Sequence, residues 1–557
     1  MWLVFNGEVY NYRELRRRLE GNGHRFRTHG DAEVLVHLYE DLGPDCFAQV
    51  DGMLAAAIWD ANHRRLVLGR DRLGKKPLVY RFENERMFFA SELKALLTVP
   101  EIPRELDPGA IDEYLTYQYV PPPNTIFRGI RKLPPAHYAV FQDGNLTVKP
   151  YWQPDWTREV SLPVAEAEEQ VRTLFDNSVA ARLQADVPRG AFLSGGIDSS
   201  LVVASMQRFA KGRVKTFSIG FPQPEYDETS FARQVAKHLG TEHTELQVTP
   251  NAIEILPKLA WQYDEPFGDS SAIPTYYLAK LAREHVTVAL TGDGGDELFA
   301  GYPRYRAVQL ADGIDQLGLL KSLLASSLWQ WLPSSGRQRS KLRQFKRFSE
   351  SLRLPADRRY LDWISIFSER RRADLYRDEF VAELPNSDPF QYLALAWKQC
   401  GKRDAATRAS LADIVTYLPS DLLTKVDIAS MAHGLECRQP FLDHRLVEFA
   451  ASLPMAYKLR WGRGKWLLQR AFRDRLPAEI WQRKKMGFGV PLDHWFRKEL
   501  RDLTHDSLLT DAAHTAVYFR PEAMRKLFDE HQTQRFDHSA RLWALLMLEM
   551  WLREWKV

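Results

Sequence analysis

Two hydrophobic rhythms divide the chain. In the first 95 residues the apolar runs are short. Trp2 to Phe5, Leu54 to Trp59, Arg65 to Gly69 and Phe88 to Ala90 read as strands, with Asp60-Ala-Asn-His63 as a turn. Glu14 to Glu20 and Ala32 to Glu40 carry helical spacing. The expectation is an α+β layer arrangement built from β-hairpins. Pro100, Pro103, Pro108, Pro121-Pro122-Pro123 and Pro134-Pro135 then crowd one passage. Proline removes backbone donors, so this passage is expected to be an irregular connection. Its aromatic residues indicate that it packs against a core.

From Val164 the rhythm changes. Helical patterns at Ala165 to Leu183, Ser200 to Phe209, Thr229 to Leu239 and Ile273 to Glu284 alternate with apolar runs at Ala191 to Leu193, Val214 to Ile219, Thr244 to Val248 and Val286 to Leu290. Such alternation predicts a doubly wound parallel sheet, an α/β unit beside the α+β one. Beyond Gly301 the strand signals stop and a helical part is expected, including Leu446 to Leu453 and Arg541 to Trp555. Leu542 to Leu552 is too short to span a bilayer and contains Glu549, so it reads as a buried C-terminal helix.

At 557 residues the chain has material for two large domains or three to four small ones. Lys plus Arg (76) nearly balances Asp plus Glu (72), and a net +4 on this size gives no reason to expect nucleic-acid or membrane partners. Cys46, Cys400 and Cys437 are odd in number and lack zinc spacing, and no signal peptide opens the chain, so a cytoplasmic protein is expected.

Chemistry concentrates in two glycine-rich loops. In Ser194-Gly195-Gly196-Ile197-Asp198-Ser199-Ser200, between a strand and a helix, the glycines admit a pyrophosphate close to the backbone. The serines donate hydroxyls and the helix start favours an anion. Asp198 can hold a Mg²⁺ that bridges phosphate oxygens. This is not the GxxxxGK[ST] loop of γ-phosphoryl transfer. The second loop, Thr291-Gly292-Asp293-Gly294-Gly295-Asp296-Glu297, packs carboxylates that repel one another unless a cation or base sits among them. Ligands in doubly wound sheets bind at the carboxyl ends of strands, so the loops should converge. The strand Thr216 to Phe221 could then hold adenine through backbone groups near Ile219.

These features resemble the N-type ATP pyrophosphatases, the SGGxDS group, which cleave ATP between the α and β phosphates. The resemblance narrows further along the chain. Asp421-Leu-Leu-Thr-Lys425 through Asp443, Gly464-Lys465-Trp466 and Arg483-Lys484-Lys485-Met-Gly487-Phe488 resemble the helical signature of the glutamine-hydrolysing asparagine synthetases. Phe5-Asn6-Gly7-Glu8, Gly30-Asp31-Ala-Glu33 and Gly69-Arg70-Asp71-Arg72 resemble that family's glutaminase domain, which has an N-terminal-nucleophile-hydrolase-like layer.

The resemblance implies a type 2 glutamine amidotransferase domain over 1–150 and an ATP pyrophosphatase, or synthetase, domain over 160–557. It implies an AMP-forming ligase. Aspartate and ATP give β-aspartyl-AMP, which ammonia from glutamine converts to asparagine. Asn6 and Gly7 would form an oxyanion hole, with Glu8 and Asp31 in the glutamine site. ATP contacts fall on Leu193, Ser194, Gly195, Gly196, Asp198, Ser199, Ile219, Thr291 and Gly292. Asp198 and Asp296 match Mg²⁺–pyrophosphate positions. Asp293, where many members carry Glu, would govern adenylate formation, and Lys485 would neutralise developing charge. Small-molecule partners are implied, with a homodimer left open.

The family's glutaminase uses an N-terminal cysteine, whereas this chain begins Met1-Trp2 and Cys46 lies internally. A truncated glutaminase domain is therefore expected, with amide made from ammonia. Three other readings remain: an acceptor carboxylate on a cell-surface glycan or peptidoglycan precursor, a tRNA-modifying enzyme, and a catalytically silent interaction protein. Intact Ser194-Gly-Gly-Ile-Asp198 opposes the last.

Overall fold

The computed structural model describes residues 1–248, 252–326, 329, 341–483 and 486–557. Strand β1 (Trp2–Val9) runs past its apolar start through Asn6-Gly7-Glu8. Each residue pairs antiparallel with β2 (Gly52–Asp60), from Trp2 opposite Trp59 to Val9 opposite Gly52. Next come β3 (Arg65–Arg70), β4 (Val79–Glu83), β5 (Arg86–Ala90), β6 (Ile130–Lys132), β7 (His137–Gln142) and β8 (Asn145–Pro150). They form an antiparallel sheet of order β1-β2-β3-β7-β8 and a smaller sheet, β5-β4-β6.

Period-two alternation sends β2 to two cores. Leu54, Ala56 and Ile58 pack against Leu15, Leu19, Val34, Leu35 and Leu38 of the helices Tyr12–Gly21 and Glu33–Leu42. Ala55 and Ala57 face Leu78, Tyr80 and Leu133 near the smaller sheet.

The proline-rich passage corrects the expectation of an irregular connection. It contains a helix, Pro108–Tyr117, and strand β6. Pro108 occupies the first helical turn, where a missing N–H costs nothing, and the Asp107 side chain caps the Gly109 N–H. Tyr114 donates to the Ala544 carbonyl at 2.8 Å, tying this helix to the C-terminal one.

The second part holds β9 (Arg189–Phe192), β10 (Lys215–Gly220), β11 (Glu242–Gln247), β12 (Val288–Leu290) and β13 (Glu436–Arg438), all parallel, in the order β11-β10-β9-β12-β13. β13 corrects the expectation that strands stop at Gly301. It has three residues, too few to show a period, and exists because β12 offers it a free edge. Phe217, Ile219 and Ala289 enter one core and Ala191, Val288 and Leu290 another, as a sheet buried on both faces requires. The strand order reverses between β9 and β12, which opens a crevice at their carboxyl ends.

The C-terminal helix, Ser539–Trp555, is buried along most of its length. Its Glu549, fully buried, pairs with Arg553 at 2.6 Å and accepts from the Thr515 N–H at 2.8 Å. Among the described residues, no helix is long and apolar enough to cross a membrane.

Candidate active site

The two glycine-rich loops meet in the crevice. The first leaves β9 and enters the helix Ile197–Phe209 at Gly196. Ser194 and Ser199 hydroxyls lie 3.1 Å apart, and the Ser194 N–H donates to Ser199 Oγ. The second loop leaves β12 and packs directly on the first. A Cβ at Gly292 would sit 2.6 Å from the Ser199 nitrogen, and one at Gly295 would sit 2.5 Å from the Asp198 carboxyl carbon. The glycines are what let the loops touch.

Asp198 and Asp296, one from each loop, converge on one ammonium. Lys465 Nζ lies 2.5 Å from an oxygen of each. All three residues are buried. Lys465 begins the helix Trp466–Ala471 in a left-handed conformation (φ +58°), and its N–H donates to the Phe299 carbonyl at 2.8 Å. Gly301 makes room for the group. A Cβ there would lie 1.9 Å from Asp296 Oδ1 and 2.4 Å from Lys465 Cε.

These residues line a cavity of about 990 Å³. Charge is arranged in pairs around it. Lys425 reaches Asp269 at 2.8 Å and the Ser271 hydroxyl at 2.7 Å. Burial, and the neighbouring Asp269 charge, hold the Asp421 carboxyl well above the usual range, and it accepts from Gln118 at 2.6 Å. Burial, helped by Asp296, pushes Glu297 up to about 7, where it accepts from the Tyr302 hydroxyl at 2.7 Å. Arg483 donates to the Ser194 carbonyl at 3.2 Å, pairs with Glu228 and lies over the Phe231 ring.

Of the residues expected to contact ATP, Leu193, Ser194, Gly196, Asp198, Ser199, Ile219, Thr291 and Gly292 line this cavity. Gly195 is not among its lining residues. It packs on Phe231 and Ala232 in a left-handed turn (φ +69°). Asp293 and Asp296 also line the cavity, and Asp293 accepts from the Thr291 hydroxyl at 2.5 Å. Lys484 and Lys485 lie outside the described residues. Sequence reasoning assigned no role to Lys465, Lys425 or Arg483. All three lay in quoted motifs, but nothing in a linear pattern says which lysine enters a site.

The expected glutamine residues gather elsewhere, on β1. Gly7 (φ +151°) faces β2 so closely that a Cβ would sit 2.0 Å from the Met53 carbonyl. The Asp31 carboxylate accepts from the Val9 N–H at 2.7 Å. Glu8 pairs with Arg438 at 3.1 Å, yet burial outweighs that guanidinium and pushes its carboxyl up to about 7. Arg438 ends β13, and its carbonyl accepts from the Thr291 N–H at 2.9 Å. One residue therefore touches both the β1 motif and the second glycine-rich loop. Beside it, the Arg182 and Arg438 guanidiniums both lie over the Tyr10 ring. Cys46 is fully buried and its thiol is pushed up to about 12 by burial.

The asparagine synthase family model matches residues 170–553, and the glutamine amidotransferase domain model matches residues 1–152. The asparagine synthetase [glutamine-hydrolyzing] 1 of Bacillus subtilis (strain 168) is 34% identical over 554 residues, covering 99% of this chain and 85% of its own length. A putative asparagine synthetase [glutamine-hydrolyzing] of Mycobacterium tuberculosis (strain ATCC 25618 / H37Rv) is 33% identical over 562 residues, covering 99% and 84%. A solved glutamine phosphoribosylpyrophosphate amidotransferase from B. subtilis aligns at 14% identity with a TM-score of 0.20, over 52% of this chain and 60% of its own, too slight a likeness to carry an argument.

Proposed function

The chain belongs to the glutamine-hydrolysing asparagine synthetase family, and from that premise we propose that it makes asparagine from aspartate with ATP, for amino-acid biosynthesis. The observation that carries this reading is the convergence of Asp198 and Asp296 on Lys465, in one cavity at the carboxyl ends of β9 and β12. The division proposed is an amidotransferase domain over 1–150 and a synthetase domain over 160–557. The cytoplasm is the proposed location, in keeping with three free, buried cysteines.

In the synthetase half, Ser194, Ser199 and the start of the helix Ile197–Phe209 bind the phosphates. Adenine lies along β10 by Ile219. The aspartate carboxylate attacks the α-phosphorus, pyrophosphate leaves, and ammonia then displaces AMP from the acyl carbon. Asp198 and Asp296 offer hard anionic oxygens, the donor type magnesium takes, and both line the cavity beside Asp293, so the residues fit the ion. The chemistry a bound Mg²⁺ supplies is neutralisation of pyrophosphate oxygens. Lys465 is poised to exchange its carboxylate partners for phosphate oxygens as negative charge develops, since a single flexible ammonium can follow that charge. Lys485 is proposed as a second cation for the same chemistry. Asp293, held by Thr291, is proposed to govern formation of the β-aspartyl adenylate. In the other half, Asn6 and Gly7 match the family's oxyanion donors for glutamine hydrolysis, and Glu8 and Asp31 match its grip on the amino acid.

The test is pyrophosphate release from ATP with aspartate and ammonia, followed in wild type and Asp198→Asn. Aspartate-dependent release in wild type that the variant loses supports the reading. Release that needs a different carboxylate, or that survives in Asp198→Asn, rejects it.

A further inference from the structure

Far from the cavity, in the hairpin of helices that covers the first sheet, three metal-ligating atoms crowd together. His24 Nδ1 and His37 Nδ1 are 3.2 Å apart. Glu40 Oε2 lies 2.9 Å from the His37 nitrogen and 3.3 Å from that of His24. His24 sits in the loop after the helix Tyr12–Gly21, and the other two lie one turn apart on the helix Glu33–Leu42. Both imidazoles are mostly buried, with 15% and 14% of the side chain exposed.

The outer nitrogens explain the tautomers. His24 Nε2 lies 2.9 Å from Asp41 Oδ1, so that nitrogen carries the proton and Nδ1 presents its lone pair. His37 Nε2 faces Glu33 Oε1 at 3.6 Å, which favours the same tautomer. Glu33 is itself fixed. Its carboxylate accepts from the Arg27 and Thr28 N–H groups and the Thr28 hydroxyl, and those hydrogen bonds hold it down at about 2. A carboxylate behind a histidine is the arrangement that orients imidazole for a metal and raises its basicity.

Two imidazole lone pairs and a carboxylate oxygen at the corners of a nearly equilateral triangle repel one another. One shared proton can satisfy only one edge. A cation satisfies all three, and tetrahedral bonds of about 2.0–2.1 Å separate ligand atoms by roughly 3.3 Å. Two nitrogens and one oxygen suit a borderline ion more than a hard one.

We propose that His24, His37 and Glu40 form a zinc-type site, oriented by Asp41 and Glu33 and completed by water. The ion joins the loop of residues 22–32 to the helix Glu33–Leu42. That loop carries Asp31, whose carboxylate is bonded to β1. The role is therefore a staple that fixes the approach to β1, remote from the ATP cavity.

The experiment uses the full chain, stripped with chelator and held in excess Mg²⁺ so that hard sites are occupied. Co²⁺ is titrated and its visible ligand-field bands recorded, then Zn²⁺ is added to displace it. The expected result is one Co²⁺ per chain with four-coordinate bands, displaced by Zn²⁺ and absent in His24→Ala and His37→Ala. Asp41→Asn should weaken binding by about 10- to 100-fold. Zn²⁺ should raise the unfolding temperature of wild type but not of His24→Ala. Circular dichroism checks that the variants fold, and pyrophosphate release should persist in His24→Ala. Absence of stoichiometric Co²⁺ binding, or bands that survive in the His24→Ala/His37→Ala double variant, would overturn the site.

Discussion

At the scale of single residues, close approach sets the chemistry. Removing the ammonium in Lys465→Ala leaves two buried carboxylates facing each other, so pyrophosphate release should fall by at least about 10²-fold. Gly301→Ala should do comparable damage without touching a charge, because its Cβ takes the space of Asp296 Oδ1 and Lys465 Cε. An active Gly301→Ala enzyme would contradict the packing argument. Cys46→Ala should cost about 1 kcal/mol of stability and change no turnover, because a thiol held near 12 inside a core is no nucleophile. Lys458 makes a different kind of prediction. It is fully buried, with no hydrogen-bond partner among the described residues, and burial pulls its ammonium down to about 7. Between pH 7 and 10.5 the unfolded chain holds a proton that the folded chain has released, so stability should rise with pH across that window. Lys458→Met should flatten the rise and stabilise the protein at pH 7. Urea midpoints measured at several pH values decide the matter.

Elements matter where one carries two duties. β13 is only three residues long, yet Arg438 at its end supports the Thr291 N–H through its carbonyl and Glu8 through its guanidinium. Glu8 is held near 7, above the ordinary 4.5. Between those values the folded state binds the extra proton, so its contribution to stability is complete below about 4.5 and lost as pH rises through 7. Glu8→Gln should remove that dependence. Urea midpoints of wild type and Glu8→Gln measured across that window check this, and a pH dependence unchanged in the variant would argue against it.

Across the whole molecule, charged side chains tie the antiparallel layers to the parallel sheet. The buried Lys76 pairs with Asp427 at 2.7 Å, the exposed Arg445 reaches Asp51 at 2.8 Å, and the Arg182 and Arg438 guanidiniums both lie over the Tyr10 ring. Removing one partner strands the other, a loss of about 3–5 kcal/mol for a buried pair. Lys76→Ala should therefore loosen the junction and speed proteolysis near residues 150–163. Unchanged cleavage there would show that apolar packing alone holds the halves together. The proline-rich passage adds to that packing, because Tyr114, Ile126 and Phe127 share a core with Trp543 and Trp551.

What the sequence by itself determined was local. Alternating apolar runs and amphipathic stretches established β9 to β12 and their helices, and the two glycine–carboxylate loops marked the crevice where they meet. These signals are legible because periodicity and glycine demand act over a few residues. The tertiary structure decided what depends on distant partners. β13 has no period of its own and exists only beside β12. The helix Pro108–Tyr117 was masked by flanking prolines, although one of them starts it. Lys465 could not be told from its neighbours in the chain, because Asp198, 267 residues before it, is what draws its ammonium into the cavity. His24 and His37 likewise gave no signal, being 13 residues apart in a loop and a helix that only folding brings edge to edge. Charges and ligands act through space at a few ångströms, and spacing along the chain carries that information only where both partners lie on one element.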